Sequence, residues 1–184
     1  VPVAYITGLK EFYALEFKVG PGVLIPRPET EFVVEQALKS LTNMRAPLLA
    51  DLCCGSGAIG IAVAVNNPEV RVYASDILEM AGKVTLENAV ALGVDDRITF
   101  LQGDLWKPFE AQGLKNFDLM VSNPPYIPTG QIRDLSDDVK NEPRIALDGG
   151  LDGTRFYRDI IGDALKYLKP RGKIIMEIGY DQAL

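Results

Sequence analysis

The 184-residue chain is 47% hydrophobic and 24% charged, which suits one domain with its own core rather than two. Its formal net charge of −6 argues against a sequence-independent grip on phosphate backbones, which needs a basic face. It has no histidine, which excludes Ser-His-Asp and Cys-His nucleophile systems and histidine-based zinc sites.

No apolar run approaches the roughly 20 residues that cross a bilayer, so no membrane association is expected. No basic stretch followed by an apolar core opens the chain, as a secretory leader would. The two cysteines, Cys53 and Cys54, are adjacent. Neighbouring cysteines make a strained disulfide at best and lack metal-finger spacing. A reducing, cytoplasmic setting is therefore expected, with no metal site.

In chain order, the part up to Pro28 reads as short extended pieces, "EFYALEFKV" and then "GVLIP", broken by Gly20, Pro21 and Gly22. This predicts a hairpin or meander over residues 1–29. From Thr30 a helix follows, with Val34, Ala37, Leu38 and Leu41 on one face. An alternation then sets in. "APLLADLC" is a strand, "GAIGIAVAV" a small-residue helix ending near Pro68, and "VRVYASD" a strand. "LEMAGKVTLENAVAL" is a helix closed by Gly93, and "RITFLQGD" and "FDLMVSN" are further strands. Residues 127–152 form a long polar connection, of a kind that is usually functional or mobile. Tyr157, Ile160, Ile161, Ala164, Leu165 and Leu168 define the clearest helix, which Pro170 and Gly172 should end before a fifth strand, "KIIMEIG". Strands alternating with helices predict an α/β fold, with a mostly parallel sheet covered on both faces. Ligands of such sheets sit outside the carboxyl ends of the strands.

Four strand ends carry polar groups. The first is "DLCCGSGAIG": Gly55 and Gly57 allow a sharp turn and close approach of a ligand, and the helix behind offers free N–H groups. A turn that merely needs glycine would look the same. Gly55, Gly57 and Gly60 also fit the dinucleotide spacing G-x-G-x-x-G. Asp51, at the end of that strand, suits a ligand bearing an ammonium group. Asp76 ends the second strand, where it could accept from two ribose hydroxyls or simply cap the following helix. Asp104 ends the third and could accept from an adenine amino group, with Leu105 or Trp106 on the base face; the plainer reading is a loop aspartate beside a core tryptophan. The fourth end is "NPPY", Asn123 to Tyr126. An Asn side-chain oxygen and a Pro carbonyl are both acceptors, and two prolines keep the turn stiff. Two fixed acceptors suit one planar –NH2 group, with Tyr126 flat against it. A rigid turn with a core tyrosine is the alternative.

"NPPY" after a fourth strand, with a glycine turn after the first, resembles Rossmann-like class I S-adenosylmethionine-dependent methyltransferases that act on planar nitrogens. "PVAYITG", "LIPRPETE" and "NEPRIALDGGLDGTRFYRDII" narrow the resemblance to the peptide chain release factor glutamine methyltransferases, the HemK/PrmC family. The resemblance runs from Pro2 to the end. It implies transfer of a methyl group from S-adenosyl-L-methionine to the side-chain amide nitrogen of the glutamine in the Gly-Gly-Gln motif of release factors, and so a role in translation termination. Asn123 and Pro124 would hold the amide, and Pro125 and Tyr126 shape its slot. Asp51, Cys53, Cys54, Gly55, Ser56 and Gly57 would line the methionine part of the cofactor together with Asn123. Asp76 would take the ribose, and Asp104 with Leu105 the adenine. Arg27, Pro28, Glu29 and Thr30 would close over the methionine end.

Two departures stand out. Cys53 replaces a glycine usual in the family, which is tolerable if its φ is negative. Leu105 stands where an aromatic residue is frequent. The family also has an N-terminal helical domain and a final pair of strands that are not seen here. Residues 30–184 are therefore expected to be a C-terminally truncated catalytic domain, with "KIIMEIG" as an unprotected sheet edge. The rival readings are a DNA adenine-N6 methyltransferase, an NAD(P)-dependent oxidoreductase and a non-catalytic binding module. The first would need base flipping and a basic cleft, and no direct nucleic-acid binding is expected.

Overall fold

The computed structural model describes residues 1–182; Ala183 and Leu184, the last two of the expected catalytic domain, lie outside the described residues. A short helix, α1 (Val3–Thr7), precedes an antiparallel hairpin of β1 (Leu9–Phe12) and β2 (Leu15–Lys18). A hairpin is present as expected, but it turns at Tyr13 and Ala14 inside "EFYALEFKV" and not at Gly20–Gly22; α1 was not legible, because a five-residue helix carries too few turns for periodicity to show. "GVLIP" is not a strand but irregular chain leading to a 3₁₀ turn, Pro28–Thr30. Proline at its first position supplies a fixed φ where no N–H is needed.

After α2 (Glu31–Leu41), β3 (Leu48–Leu52), α3 (Ala58–Asn66), β4 (Arg71–Asp76), α4 (Glu79–Ala91), β5 (Ile98–Gln102), α5 (Lys107–Ala111) and β6 (Phe117–Ser122) follow in turn. A short α6 (Asp137–Lys140) lies in the long connection, and α7 (Arg155–Ala164) and β7 (Leu168–Met176) complete the chain. The sheet is parallel throughout, in the order β5-β4-β3-β6-β7. The direction of winding reverses between β3 and β6, so a crevice opens at their carboxyl ends.

Strand alternation divides the core. Leu49, Val72, Leu119 and Val121 pack with Phe12 and Phe17 of the hairpin and with α2, α3 and α4; Ala50, Leu52, Phe117 and Met120 face α5 and α7 on the other side. Every residue of α3 from Ala58 to Ala64 is buried, so this helix is apolar all round. Its Gly60 lets it lie directly on the sheet, since a Cβ there would come within 2.8 Å of Val72 and 2.9 Å of the Asp51 carboxylate.

The C-terminal part differs from expectation. The buried stripe of α7 is Ile160 and Ala164, whereas Ile161 and Leu165 face solvent. Pro170 and Gly172 do not precede the last strand but lie inside it. Phe117 pairs with Leu168 and Leu119 with Lys173, so β7 bulges out by several residues between these pairs. A bulge leaves residues outside the ladder, where proline's missing N–H costs nothing. Among the described residues β7 pairs only with β6, which puts "KIIM" at the sheet edge as anticipated.

Candidate active site

The first strand end is held from behind. Asp51 is fully buried, and its Oδ2 accepts the Gly60 N–H at 2.9 Å. Its Oδ1 has no partner among the described residues, and burial pushes the carboxyl up to about 7. Asp51 therefore underlies the turn and is not on a ligand-facing wall. The turn alternates into left-handed conformations: φ is 57° at Cys53, 55° at Gly55 and 77° at Gly57. The positive φ at Cys53 corrects the expectation of a negative one, and a thiol side chain occupies a conformation that favours glycine. Cys54, with its Sγ 3.6 Å from the Thr85 hydroxyl, and Ser56, whose carbonyl accepts from Asn88, are buried behind the turn. A Cβ on Gly57 would strike Thr85 and Ile61.

Asp76 braces the backbone at the start of α4 and at the first turn. Its Oδ1 accepts the Leu78 N–H at 3.0 Å at the start of α4, and its Oδ2 accepts the Gly55 N–H at 2.9 Å. Each oxygen keeps a second lone pair, and the carboxylate faces the crevice. Burial raises its pKa, and the backbone N–H groups of Leu78, Gly55 and Ile77 oppose that shift. Asp104 also faces the crevice and accepts from the Lys107 ammonium at 2.7 Å. Trp106 does not face it. Its ring stacks on Tyr167 at 4.5 Å and its N–H donates to the Ile160 carbonyl, so it is a core residue. Leu105, at φ 49°, is the one on the crevice wall.

At the fourth strand end a polar chain fixes Asn123. Its Nδ2 donates to the Thr30 hydroxyl at 3.1 Å, and Thr30 donates in turn to Oε2 of Glu177 at 2.5 Å. The other Glu177 oxygen accepts from the Tyr126 hydroxyl at 3.1 Å. Asn123 Oδ1 and the Pro124 carbonyl have no donor among the described residues. Pro124 and Pro125 are buried, and Tyr126 is turned toward Glu177.

The carboxyl ends of the strands border a cavity of about 570 Å³. Of the residues singled out from sequence, Cys53, Gly55, Asp76, Asp104, Leu105, Asn123 and Pro125 are on its wall. Arg27 to Thr30 are not: Arg27 pairs with the buried Glu142, Pro28 and Glu29 face solvent, and Thr30 is buried against Asn123. The wall on that side is Gly22, Val23 and Leu24. The long connection supplies the opposite rim through Arg144, Ile145 and Ala146. Its ends are closed by Ile127 and Asp148, which form a parallel bridge, and by bonds between Ile127 and the backbone of Leu147 and Gly149. Phe156, at the start of α7, adds an aromatic face beside Leu105. The polarity and length of the 127–152 connection and the "NEPRIALDGGLDGTRFYRDII" stretch of the resemblance pointed to this region, but neither gave these rim residues a role.

The family model described as the methyltransferase small domain matches residues 30–142, more than half of the chain. The chain belongs to the methyltransferase small domain family. Among curated proteins it is 49% identical over 181 residues to the release factor glutamine methyltransferase of Moorella thermoacetica, covering 98% of this chain and 63% of that protein. Against the protein of the same name from Clostridium acetobutylicum it is 48% identical over 185 residues, covering 100% of this chain and 64% of the relative. The chain thus spans slightly under two thirds of the length of these relatives. Solved structures share the fold at lower identity. The ribosomal protein L11 methylase of Lactobacillus delbrueckii subsp. bulgaricus superposes with a TM-score of 0.59 at 22% identity, over 89% of this chain and 67% of that one. A precorrin 8W decarboxylase from Methanobacterium thermoautotrophicum gives 0.59 at 21%, over 87% and 68%. The small domain of this family therefore accounts for the fold from α2 to the end of α6. No helix among the described residues is long and apolar enough to cross a membrane.

Proposed function

We propose that this chain transfers the methyl group of S-adenosyl-L-methionine to the side-chain amide nitrogen of the glutamine in the Gly-Gly-Gln motif of peptide chain release factors. The division into residues 1–29 as a packing subregion and 30–184 as the catalytic domain belongs to the same proposal. The observation that carries it is the polarity of Asn123: the amide N–H is held by Thr30, which leaves Oδ1 as an acceptor at the crevice. The names of the relatives that match nearly the whole chain support the choice of glutamine.

The residues present suit the cofactor. The cavity has the size of a nucleoside-type ligand. Asp76 has two unused lone pairs for ribose hydroxyls, and Asp104 and Leu105 offer an acceptor and an apolar face for the base. The unpartnered oxygen of buried Asp51, just behind the turn, is a polar group beneath the end where the ammonium of the methionine part would lie. The bound cofactor supplies an electrophilic methyl group on a sulfonium.

An amide nitrogen is a weak nucleophile, because its lone pair is delocalised into the carbonyl. Asn123 Oδ1 and the Pro124 carbonyl would accept its two N–H bonds, orient the nitrogen and oppose the positive charge that develops on it. Holding the amide in line can lower the barrier by roughly 7–11 kcal/mol. The nitrogen then loses one proton to solvent, which fits a chain without histidine. The test is transfer of labelled methyl groups to a purified release factor, with a glutamine-to-alanine substrate and an adenine-containing oligonucleotide as controls. Labelling of the alanine substrate, or of the oligonucleotide alone, would overturn the proposal.

A further inference from the structure

We infer that Glu177 is a positioning residue that sets the polarity of the acceptor pair; this rests on the reading of Asn123 given above. Thr30 has a single hydroxyl hydrogen. It points at the Glu177 carboxylate at 2.5 Å, so toward Asn123 the Thr30 oxygen can only accept. Asn123 must then turn its NH2 to Thr30, at 3.1 Å, and its oxygen to the crevice. The carboxylate has no hydrogen to give and cannot be bypassed by the reverse arrangement. If the acceptor at position 177 is removed, the Thr30 hydroxyl is free to donate to Asn123 Oδ1. The amide can then present NH2 to an incoming NH2, donor against donor.

Glu177 is itself held in place. Its backbone N–H donates to the Ser122 carbonyl at 3.0 Å, directly before Asn123. Its second carboxylate oxygen takes the Tyr126 hydroxyl at 3.1 Å, so both ends of "NPPY" refer to one carboxylate. Thr30 is 3% exposed, which shields the relay from water that could scramble its direction. Glu177 lies 147 residues from Thr30 in sequence and was not among the residues that sequence motifs singled out.

The test uses this chain with and without Glu177→Met, which keeps length and removes both acceptors. Side-chain amide exchange of Asn123, read by NMR without any substrate, should be slow in the parent chain. It should quicken about tenfold in Glu177→Met and in Thr30→Val, and stay slow in Thr30→Ser. In transfer to release factor, Glu177→Met should lower kcat about a hundredfold and leave the KM for S-adenosylmethionine within about twofold. Adding Glu177→Met to Thr30→Val should cost nothing more, since both act through one relay. Unchanged Asn123 exchange in both single variants, or additive losses in the double variant, would overturn the inference. If Glu177→Met fails to fold, Thr30→Val gives the same exchange reading. A parent chain that transfers no methyl group to glutamine sinks the proposed function, while the exchange measurement still decides the role of Glu177.

Discussion

The Arg27 guanidinium and the Glu142 carboxylate, 115 residues apart in the chain, form an ion pair, and the other Glu142 oxygen accepts the Ile25 N–H at 2.9 Å. This joins "IPRPETE" to "NEPRIAL", the two segments whose resemblance to a family was the most specific. The pair braces the chain that leads from the Gly22–Leu24 wall against the loop that carries the Arg144–Ala146 rim.

The two halves of that pair are unequal. The Arg27 side chain is 32% exposed and that of Glu142 only 1%. Arg27→Ala strands a carboxylate with little access to water and should cost about 3 kcal/mol, at the lower end for a broken buried pair. Glu142→Ala leaves a cation that water can still reach, plus one unpaired N–H, and should cost nearer 2 kcal/mol. Urea unfolding of both variants checks the order.

Asn123→Ala should abolish the proposed methyl transfer, by about a hundredfold or more, with the dissociation constant for S-adenosylmethionine within about threefold of the parent. Single-turnover transfer and calorimetric titration separate the two quantities. Near-parent turnover would remove Asn123 from the mechanism.

Cys53→Gly should stabilise the chain. The left-handed conformation at φ 57° costs a non-glycine residue about 1–2 kcal/mol, and glycine's extra freedom in the unfolded chain takes back about 0.5–1. The balance favours glycine by roughly 0.5–1 kcal/mol, visible as a higher urea midpoint at an unchanged slope.

Asp51 gives stability a definite pH dependence. Its pKa moves from 3.8 to about 7 on folding, so between those values the folded chain holds a proton that the unfolded chain has lost. Stability from this group is therefore full at acid pH and falls as pH rises, by at most about 1.4 kcal/mol per pH unit over that window. Asp51→Asn keeps an acceptor for Gly60 and should flatten the slope in unfolding measurements between pH 5 and pH 7. An unchanged slope would assign the dependence to other groups.

Much of the fold was legible because parallel strands buried on both faces leave runs such as "FDLMVS", and short helices of small residues fill the gaps. The crevice residues at strand ends were legible for the same reason: topology fixes where carboxyl ends converge, so Asp76, Asp104 and Asn123 had to share a site. Sequence could not reveal partners that only closure of the chain creates. The family resemblance implied that Thr30 closes over the cofactor with Arg27 to Glu29, but it is buried and holds Asn123. Glu142 and Glu177 look like surface glutamates until their partners, 115 and 147 residues away, are in place. Pro170 was misleading in the other sense, since a bulge removes the ladder bond that proline cannot make. The sign of φ at Cys53 depends on the turn closing against Ser75 and Asp76, which a residue type does not disclose.

Asp76 has a consequence for selectivity. Two rigid backbone donors fix its carboxylate plane before any ligand arrives, so the rotational freedom of that side chain is already lost when the protein folds. Under the proposed function, a sugar bearing two adjacent hydroxyls would meet a stationary pair of acceptors, while a deoxy sugar would leave one of them facing a gap it cannot rotate to fill. Discrimination between ribo- and deoxyribonucleosides would then rest on the junction of two strands rather than on a residue that moves.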